Sequence, residues 1–423
     1  MRIEFPYPDV EPVEVPDANL LGVFRASEQT PVENTAACVN DALANPIGSP
    51  RLSELARGRK NALIIADDYT RHTPVKEIIP AVARELQAGG PRASSIKILV
   101  ALGTHRPMTD EEKLAKFGGE ILRDFKIVNH DWRDEASLVE VGVTSGGASV
   151  RINRLAAEAD LLIGVGQIAP HRIAGFSGGA KIILPGICGA EATARTHWIG
   201  GTLPGDRMLG FVDNPVRSEM NEAARLARLA FIINAVCDTH GRTLAVIAGD
   251  VEQAHRSGAA IAREALGVKI PRQADIVLVD SYPKDIELWQ AAKALYAADV
   301  AVRPGGVLIL VSPCYEGVSK SHPLILERGY KTEKETLAEV ESGRLTDLMV
   351  ASHCLRVGRL IRDKAAGILV SSGIPKRDAE HLGFIHAATP AEALRKAFEI
   401  VGKDASVTVL QHGSEALPVI GPH

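Results

Sequence analysis

Aromatic side chains are scarce: nine Phe, six Tyr and three Trp make up 4% of the 423 residues. A chain this poor in rings is not expected to offer the stacking platforms that hold single-stranded nucleic acid. A basic excess is also missing, since 48 Lys and Arg stand against 52 Asp and Glu for a formal net charge of -4. That removes the electrostatic case for a nucleic-acid partner. Cysteine is rare. Cys38, Cys188, Cys237, Cys314 and Cys354 form no CxxC pair, and the closest two are 40 residues apart. Neither a disulfide framework nor a zinc ribbon is expected, and the thiols read as buried groups in a reduced compartment. No apolar run approaches the ~20 residues of a membrane span. The opening Met1-Arg2-Ile3-Glu4-Phe5-Pro6 has no apolar signal-peptide core. These absences predict a cytoplasmic protein with no nucleic-acid and no membrane partner.

What is present is ordinary globular composition, 46% hydrophobic and 24% charged. The length suggests two to three domains at ~150 residues each. Short runs rich in Ile, Val and Leu at 61–66, 96–102, 160–165, 230–236, 244–248, 276–280, 307–311, 368–371 and 407–410 read as strands buried on both faces. Helical patterns separate most of them. Thr73 precedes Pro74 as an N-cap, Thr109-Asp110-Glu111-Glu112 forms a capping box, and Asn214-Pro215 opens a third helix. Further helices are expected at 189–199, 251–266, 285–298 and 390–401. This alternation predicts an α/β protein of two α/β domains with mainly parallel sheets. The weak pattern at 267–274 places the boundary, giving domains 1–270 and 271–423. The active site is expected at the carboxyl ends of strands, between the domains.

Those strand ends carry unusual residues. Asp67-Asp68-Tyr69-Thr70-Arg71-His72-Thr73 follows the first run, and Gly103-Thr104-His105-Arg106 follows the second. Pro170-His171 and Gly175-Phe176-Ser177-Gly178-Gly179-Ala180-Lys181 follow the third. His197 lies in a predicted helix, and Trp289, Gln290 and Lys293 lie in another, with Gln290 and Lys293 three apart on one face. Each has a plainer explanation: a solvated arginine, a satisfied loop histidine, a polar helix face. The glycine segment could cradle an anion on its N–H groups. It is not a Walker A loop, because Ala180-Lys181-Ile182 stands where Gly-Lys-Ser/Thr is required. A lysine so placed could serve as a covalent anchor. Without further information, acid–base chemistry on a small anion and a zinc site on His105, His171 and His197 are both open.

Taken in order and spacing, Asp68-Tyr69-Thr70-Arg71, Gly103-Thr104-His105-Arg106, His171, the segment from Gly175 to Lys181, His197, and Gln290 with Lys293 resemble the nickel-dependent lactate racemase family. The resemblance implies a racemase or epimerase that inverts C2 of a 2-hydroxy acid through a covalently bound nickel-pincer nucleotide. It implies that Lys181 links to the cofactor and that His197 ligates nickel. His105 and His171 would be the two acid–base residues. Arg71, Gln290 and Lys293 would orient substrate, with Trp289 beside them. Asp68, Thr70, Ser177, Gly178 and Gly179 would line the cofactor's place. Hydride transfer suits this substrate class, because an adjacent carboxylate opposes carbanion formation, and histidine suits the proton work near neutral pH.

Trp289 stands where lactate-handling members commonly carry tyrosine, which points to a 2-hydroxy acid other than lactate. Arg106, Arg172 and His72 adjoin site residues and are candidates for a second substrate group. The implied partners are the small 2-hydroxy acid and the enzymes that make the cofactor, with a homo-oligomer left open. Two other readings remain at this stage: a zinc-dependent hydrolase using His105, His171 and His197, and a non-catalytic cofactor-binding homologue.

Overall fold

The computed structural model describes residues 1–26, 29–203, 208–238 and 240–421. The chain forms two compact units. A central unit comprises Glu28–Ile199 and Gly210–Ala265; a terminal unit comprises Met1–Ser27, Gly200–Leu209 and Leu266–His423. This differs from the single cut expected after residue 270. The reason is strand pairing: Leu20–Phe24 lies parallel to Val407–Leu410, so the first residues complete the sheet built by the last.

The central sheet has six strands in the order Thr243–Gly249, Leu229–Cys237, Leu162–Gln167, Ala62–Asp67, Ile96–Ala101 and Lys126–Asn129. All neighbours are parallel except the Leu229–Cys237 and Thr243–Gly249 pair. Ile64, Ile98, Ile163 and Ile233 from four adjacent strands meet Ile78, Ile79, Val82 and Leu86 in one core. Those helix residues recur every three or four positions along Val75–Gly89, so a single face covers the sheet. The terminal sheet also has six strands, Ile385–Ala387, Ala366–Val370, Val302–Val311, Ala274–Asp280, Val407–Leu410 and Leu20–Phe24, all parallel. Its core gathers Ile276, Leu278, Val307, Ile309 and Val409 beneath Leu394 and Ala397 of the helix Pro390–Val401. Among the described residues no helix is long and apolar enough to cross a membrane.

All nine expected strands are present within a few residues. The short edge strands Leu20–Phe24, Lys126–Asn129 and Ile385–Ala387 escaped the pattern because each is only partly buried. The Thr109 capping box forms as expected. Thr73 does not cap its helix. Its hydroxyl donates to the buried Asp67 carboxylate instead, and Pro74 takes the cap position without a side-chain bond.

The glycine segment shows why it contains no side chains at its turns. Gly175, Gly178 and Gly179 have φ of 75°, 75° and 58°. A Cβ on Gly175 would stand 1.8 Å from the Phe211 carbonyl oxygen. Gly175→Ala therefore combines a left-handed backbone with a backbone clash and is expected to cost about 3 kcal/mol. A urea unfolding midpoint close to wild type would contradict this.

Candidate active site

The Ala62–Asp67 strand ends in two adjacent carboxylates with separate duties. Asp67 is 8% exposed and binds inward. It accepts from the Thr73 hydroxyl and from Gln167 N at 3.0 Å, and Lys116 Nζ lies 3.0 Å from its other oxygen. Asp68 is 3% exposed and organises the outward loop. Its Oδ1 accepts from Thr70 N at 3.0 Å and Thr70 Oγ1 at 2.5 Å, and its Oδ2 lies 2.6 Å from His105 Nδ1. Arg71 Nη1 in turn donates to Thr70 Oγ1 at 2.8 Å. Asp68 thus links Thr70, Arg71 and His105, which come from the ends of two neighbouring strands.

Burial alone would raise the Asp68 carboxyl. The hydrogen bond and charge of His105, with Thr70 and Arg71, override it and hold the group down to about 2. A depressed carboxyl stabilises the fold above its unfolded value near 4, and that stability is lost as pH falls towards about 2. The full shift corresponds to about 2 kcal/mol. His105 is 48% exposed in its side chain, so solvent screening lowers the expectation to ~1 kcal/mol. Asp68→Asn should be less stable than wild type by that amount at pH 5, with the gap closing between about pH 4 and 2. A gap that stays constant across that range in thermal unfolding would overturn the assignment.

His171 lies in a two-stranded hairpin, Pro170–His171 against Gly175–Phe176. Its Nδ1 accepts from Ile173 N at 3.3 Å and Ala174 N at 3.2 Å. Burial first, then the charges of Lys181, Arg71, Arg172 and His197, hold His171 well below the ordinary histidine value. Lys181 follows in a short helical turn, Gly179–Ile182. Burial, reinforced by Arg71 and Arg217 and partly opposed by Asp68, pushes its ammonium down to about 7. An appreciable fraction of the amine is therefore neutral and nucleophilic near neutral pH.

Hydrogen bonds assign the tautomers of three histidines. The Asp68 carboxylate can only accept, so His105 carries hydrogen on Nδ1 and keeps its lone pair on Nε2. His171 is the reverse, with its Nδ1 lone pair taken by two amides and hydrogen on Nε2. His197, on the helix Ala190–Thr202, donates from Nδ1 to the Thr193 carbonyl at 2.8 Å, which leaves the lone pair on Nε2. That is the form in which an imidazole ligates a metal. Among the described residues no group of three or more His, Cys, Asp or Glu side chains is gathered to hold a metal ion. The three-histidine zinc site is therefore not formed: His105 is committed to Asp68, and His171 turns its lone pair to the backbone.

Two N–H groups of the glycine segment, which could have cradled an anion, are taken up by the protein itself. Ser177 N donates to the Ala169 carbonyl and Gly179 N to Asn234 Oδ1. Ser177 Oγ donates to the Gln167 carbonyl at 2.7 Å and accepts from Ala169 N. These groups close the loop on itself. Gly178 and Gly179 are required because a Cβ would meet Ile168 and His255 at 2.6 and 2.7 Å.

Three polar residues not singled out in the sequence hold this loop. Asn234 interrupts an otherwise apolar strand and receives Gly179 N at 2.9 Å. His255 pairs its Nε2 with the Ser177 carbonyl at 3.0 Å. Arg217 donates to the carbonyls of Ala174, Phe176 and Gly178. Only Asn234 left a legible signal, a polar residue in a fully buried strand. Of the other nominated neighbours, Arg106 is paired with both oxygens of Glu112 at 2.8 and 2.5 Å.

In the terminal unit, Gln290 and Lys293 lie on the helix Leu288–Ala301, and Lys293 Nζ donates to Gln290 Oε1 at 2.8 Å. Trp289 stacks against His322 and His353, with centroids 4.2 and 4.5 Å away. His353 is itself set between the Tyr296 and Tyr330 hydroxyls, 3.3 and 2.9 Å from its ring nitrogens.

Comparison with known proteins completes the description. Residues 9–204 match the model of the lactate racemase N-terminal domain, and residues 270–417 that of the lactate racemase C-terminal domain. The lactate racemase of Thermoanaerobacterium thermosaccharolyticum is 33% identical over 422 residues, covering 97% of this chain and 98% of that protein. The chain belongs to the lactate racemase family. The lactate racemase of Lactiplantibacillus plantarum is 35% identical over 409 residues, covering 92% of this chain and 90% of its own. The solved lactate racemase apoprotein from T. thermosaccharolyticum superposes with a TM-score of 0.88 at 31% identity, covering 99% of this chain and 100% of that one. A Thermotoga maritima crystal structure shares the fold at TM-score 0.68 and 22% identity, over 92% of this chain and 98% of that one.

As a member of the lactate racemase family the protein is an isomerase, a racemase. The expectation that Trp289 points away from lactate is not borne out, since the similar proteins are lactate racemases and Trp289 is engaged by two histidines of its own unit.

Proposed function

We propose that the protein racemises a 2-hydroxy acid, with lactate the first substrate to test, using a nickel-pincer nucleotide anchored on Lys181 and ligated through His197. The observation that carries this reading is a Lys181 amine held down to about 7 whose charge acts on His171, together with the opposite tautomers of His171 and His105. The residues present fit the group: His197 has the ligating tautomer, Lys181 has a nucleophilic amine, and one histidine ligand suits a metal whose other donors come with the cofactor. When bound, that group supplies the hydride acceptor and donor for the C2 centre.

The protein's own work is proton transfer and charge. His105 offers Nε2 to the substrate hydroxyl, and Asp68 stabilises the imidazolium that results. His171 offers Nε2–H, a hydrogen-bond donor for the keto oxygen. In the reverse direction the duties of the two rings exchange. Arg71, steadied by Thr70, offsets the substrate carboxylate. A substrate-orienting role for Gln290 and Lys293 rests on the family resemblance; in the terminal unit they are bonded to each other. The test is to coexpress the chain with the cofactor-making enzymes and nickel, then follow D- and L-lactate by chiral chromatography. Interconversion of both enantiomers is expected. Full nickel and cofactor loading without turnover of lactate, longer 2-hydroxy acids or malate would overturn the reading.

A further inference from the structure

Arg217 is a buried cation of the central unit to which the proposed chemistry gives no part. It is 4% exposed and sits in the first turn of the helix Pro215–Leu226. Its backbone N–H donates to the cap Asn214 at 2.8 Å, and Asn214 Nδ2 donates to the Phe211 carbonyl at 2.8 Å, so the root of the side chain is fixed. All its bonded donors go to carbonyls: Gly178 at 3.1 Å, Ala174 at 3.4 Å, and Phe176. Nε has no hydrogen-bond partner among the described residues. Burial pushes the guanidinium down to about 9, and it remains a cation at neutral pH. A buried cation normally has a carboxylate partner, because desolvation is otherwise costly. Here the acceptors are three neutral carbonyls of one loop, and that loop runs from His171 to Lys181.

We propose that Arg217 is a positioning residue for Lys181: it clamps the 174–178 loop that leads into the Lys181 turn, and its uncompensated buried charge disfavours a second cation on the Lys181 side chain, which presents the amine for its covalent bond. Two properties follow from the geometry. The clamp joins the hairpin of His171 to the turn of Lys181, so one side chain sets both. The charge acts on Lys181 from the helix side, while Arg71 acts on it from the strand-end loop and Asp68 opposes both. His171 is the remaining titratable neighbour, and it too is held neutral by the same surroundings. Exchange of Arg217 for a neutral residue removes one of the two arginine charges that oppose the ammonium and leaves Arg71 set against Asp68.

The inference deepens the assignment of Lys181 as anchor, but its test does not need the cofactor. Cofactor-free full-length protein is labelled with a water-soluble amine-reactive reagent from about pH 6 to 10, and Lys181 is quantified by peptide mass spectrometry against an ordinary surface lysine. Wild-type Lys181 is expected to label at lower pH than the reference. Arg217→Gln keeps hydrogen-bond donors without the charge and should slow Lys181 labelling near pH 7.5 roughly tenfold, with the reference unchanged. Arg217→Lys keeps the charge and should restore most of the reactivity. Thermal unfolding verifies that each variant is folded; if Arg217→Gln is not, Arg217→Lys alone must still label at low pH. Wild-type labelling of Lys181 in folded Arg217→Gln, or loss of low-pH labelling in folded Arg217→Lys, overturns the proposal. Failure of Lys181 as anchor would appear elsewhere, as a missing mass increase after coexpression.

Discussion

Lys181→Ala, coexpressed with the cofactor-making enzymes, is expected to show no covalent mass increase and no racemisation. Among the residues gathered at the strand ends, Lys181 is the one with a nucleophilic amine, because burial and two arginines hold it down to about 7. An ordinary lysine near 10.4 would present almost no neutral amine in the cell. Alanine removes the nucleophile and so, on the proposed reading, the anchored group on which the reaction would depend; the expected loss is of the reaction itself rather than of a few-fold in rate. Lys181→Arg should fail equally, since a guanidinium keeps the charge and is not nucleophilic at this pH. Lys293→Ala is the matched control: it lies on the Leu288–Ala301 helix, bonded to Gln290, and should keep the full mass increase. Intact-protein mass spectrometry reads all three. A cofactor-sized increase in Lys181→Ala would remove Lys181 from the anchoring role.

The second large effect is expected from the histidine pair. His105→Ala and His171→Ala should each lower racemisation by ~10²–10⁴-fold, the usual consequence of losing a general acid or base. The two should fail differently. His105 donates Nδ1–H to Asp68 and keeps its lone pair on Nε2, so its loss removes an acceptor for the hydroxyl proton. His171 is held neutral by burial and by neighbouring cations, with its hydrogen on Nε2, so its loss removes a donor. Single-turnover spectroscopy of loaded variants with each pure enantiomer should therefore show opposite preferences. Racemisation within a few-fold of wild type by either variant would take that histidine out of the mechanism. Nickel content should be unchanged in both, because His197 is the residue assigned to the metal.

Much of the fold was legible because parallel strands buried on both faces are written as continuous Ile, Val and Leu runs. Ala62–Asp67, Ile96–Ala101 and Leu162–Gln167 each stand out this way and lead directly to Asp68, His105 and His171. The exposed edge strands were not legible. Half-buried residues such as those of Leu20–Phe24 carry no such run, although that strand joins the first residues to the terminal sheet. Thr73 illustrates a local rule overruled by a tertiary one. Its position invites an N-cap, but a buried carboxylate at Asp67 needs donors more than the helix start does.

The sequence by itself determined the α/β class, the strand ends that bear the chemistry, and the family, because residue type and order along the chain carry that information. It also placed glycines wherever the loop before Lys181 turns to positive φ. Only the tertiary structure decided what each group does there. Tautomers depend on partners distant in sequence, such as Asp68 for His105, 37 residues apart. The state of the Lys181 amine depends first on burial and then on Arg71 and Arg217, which arrive from a strand end and a helix far along the chain. The glycine segment's N–H groups could have faced a ligand or the protein, and Asn234 and Ala169 settle that two of them face the protein. Charge and hydrogen bonding act through space over a few ångströms, and no spacing along the chain encodes that distance.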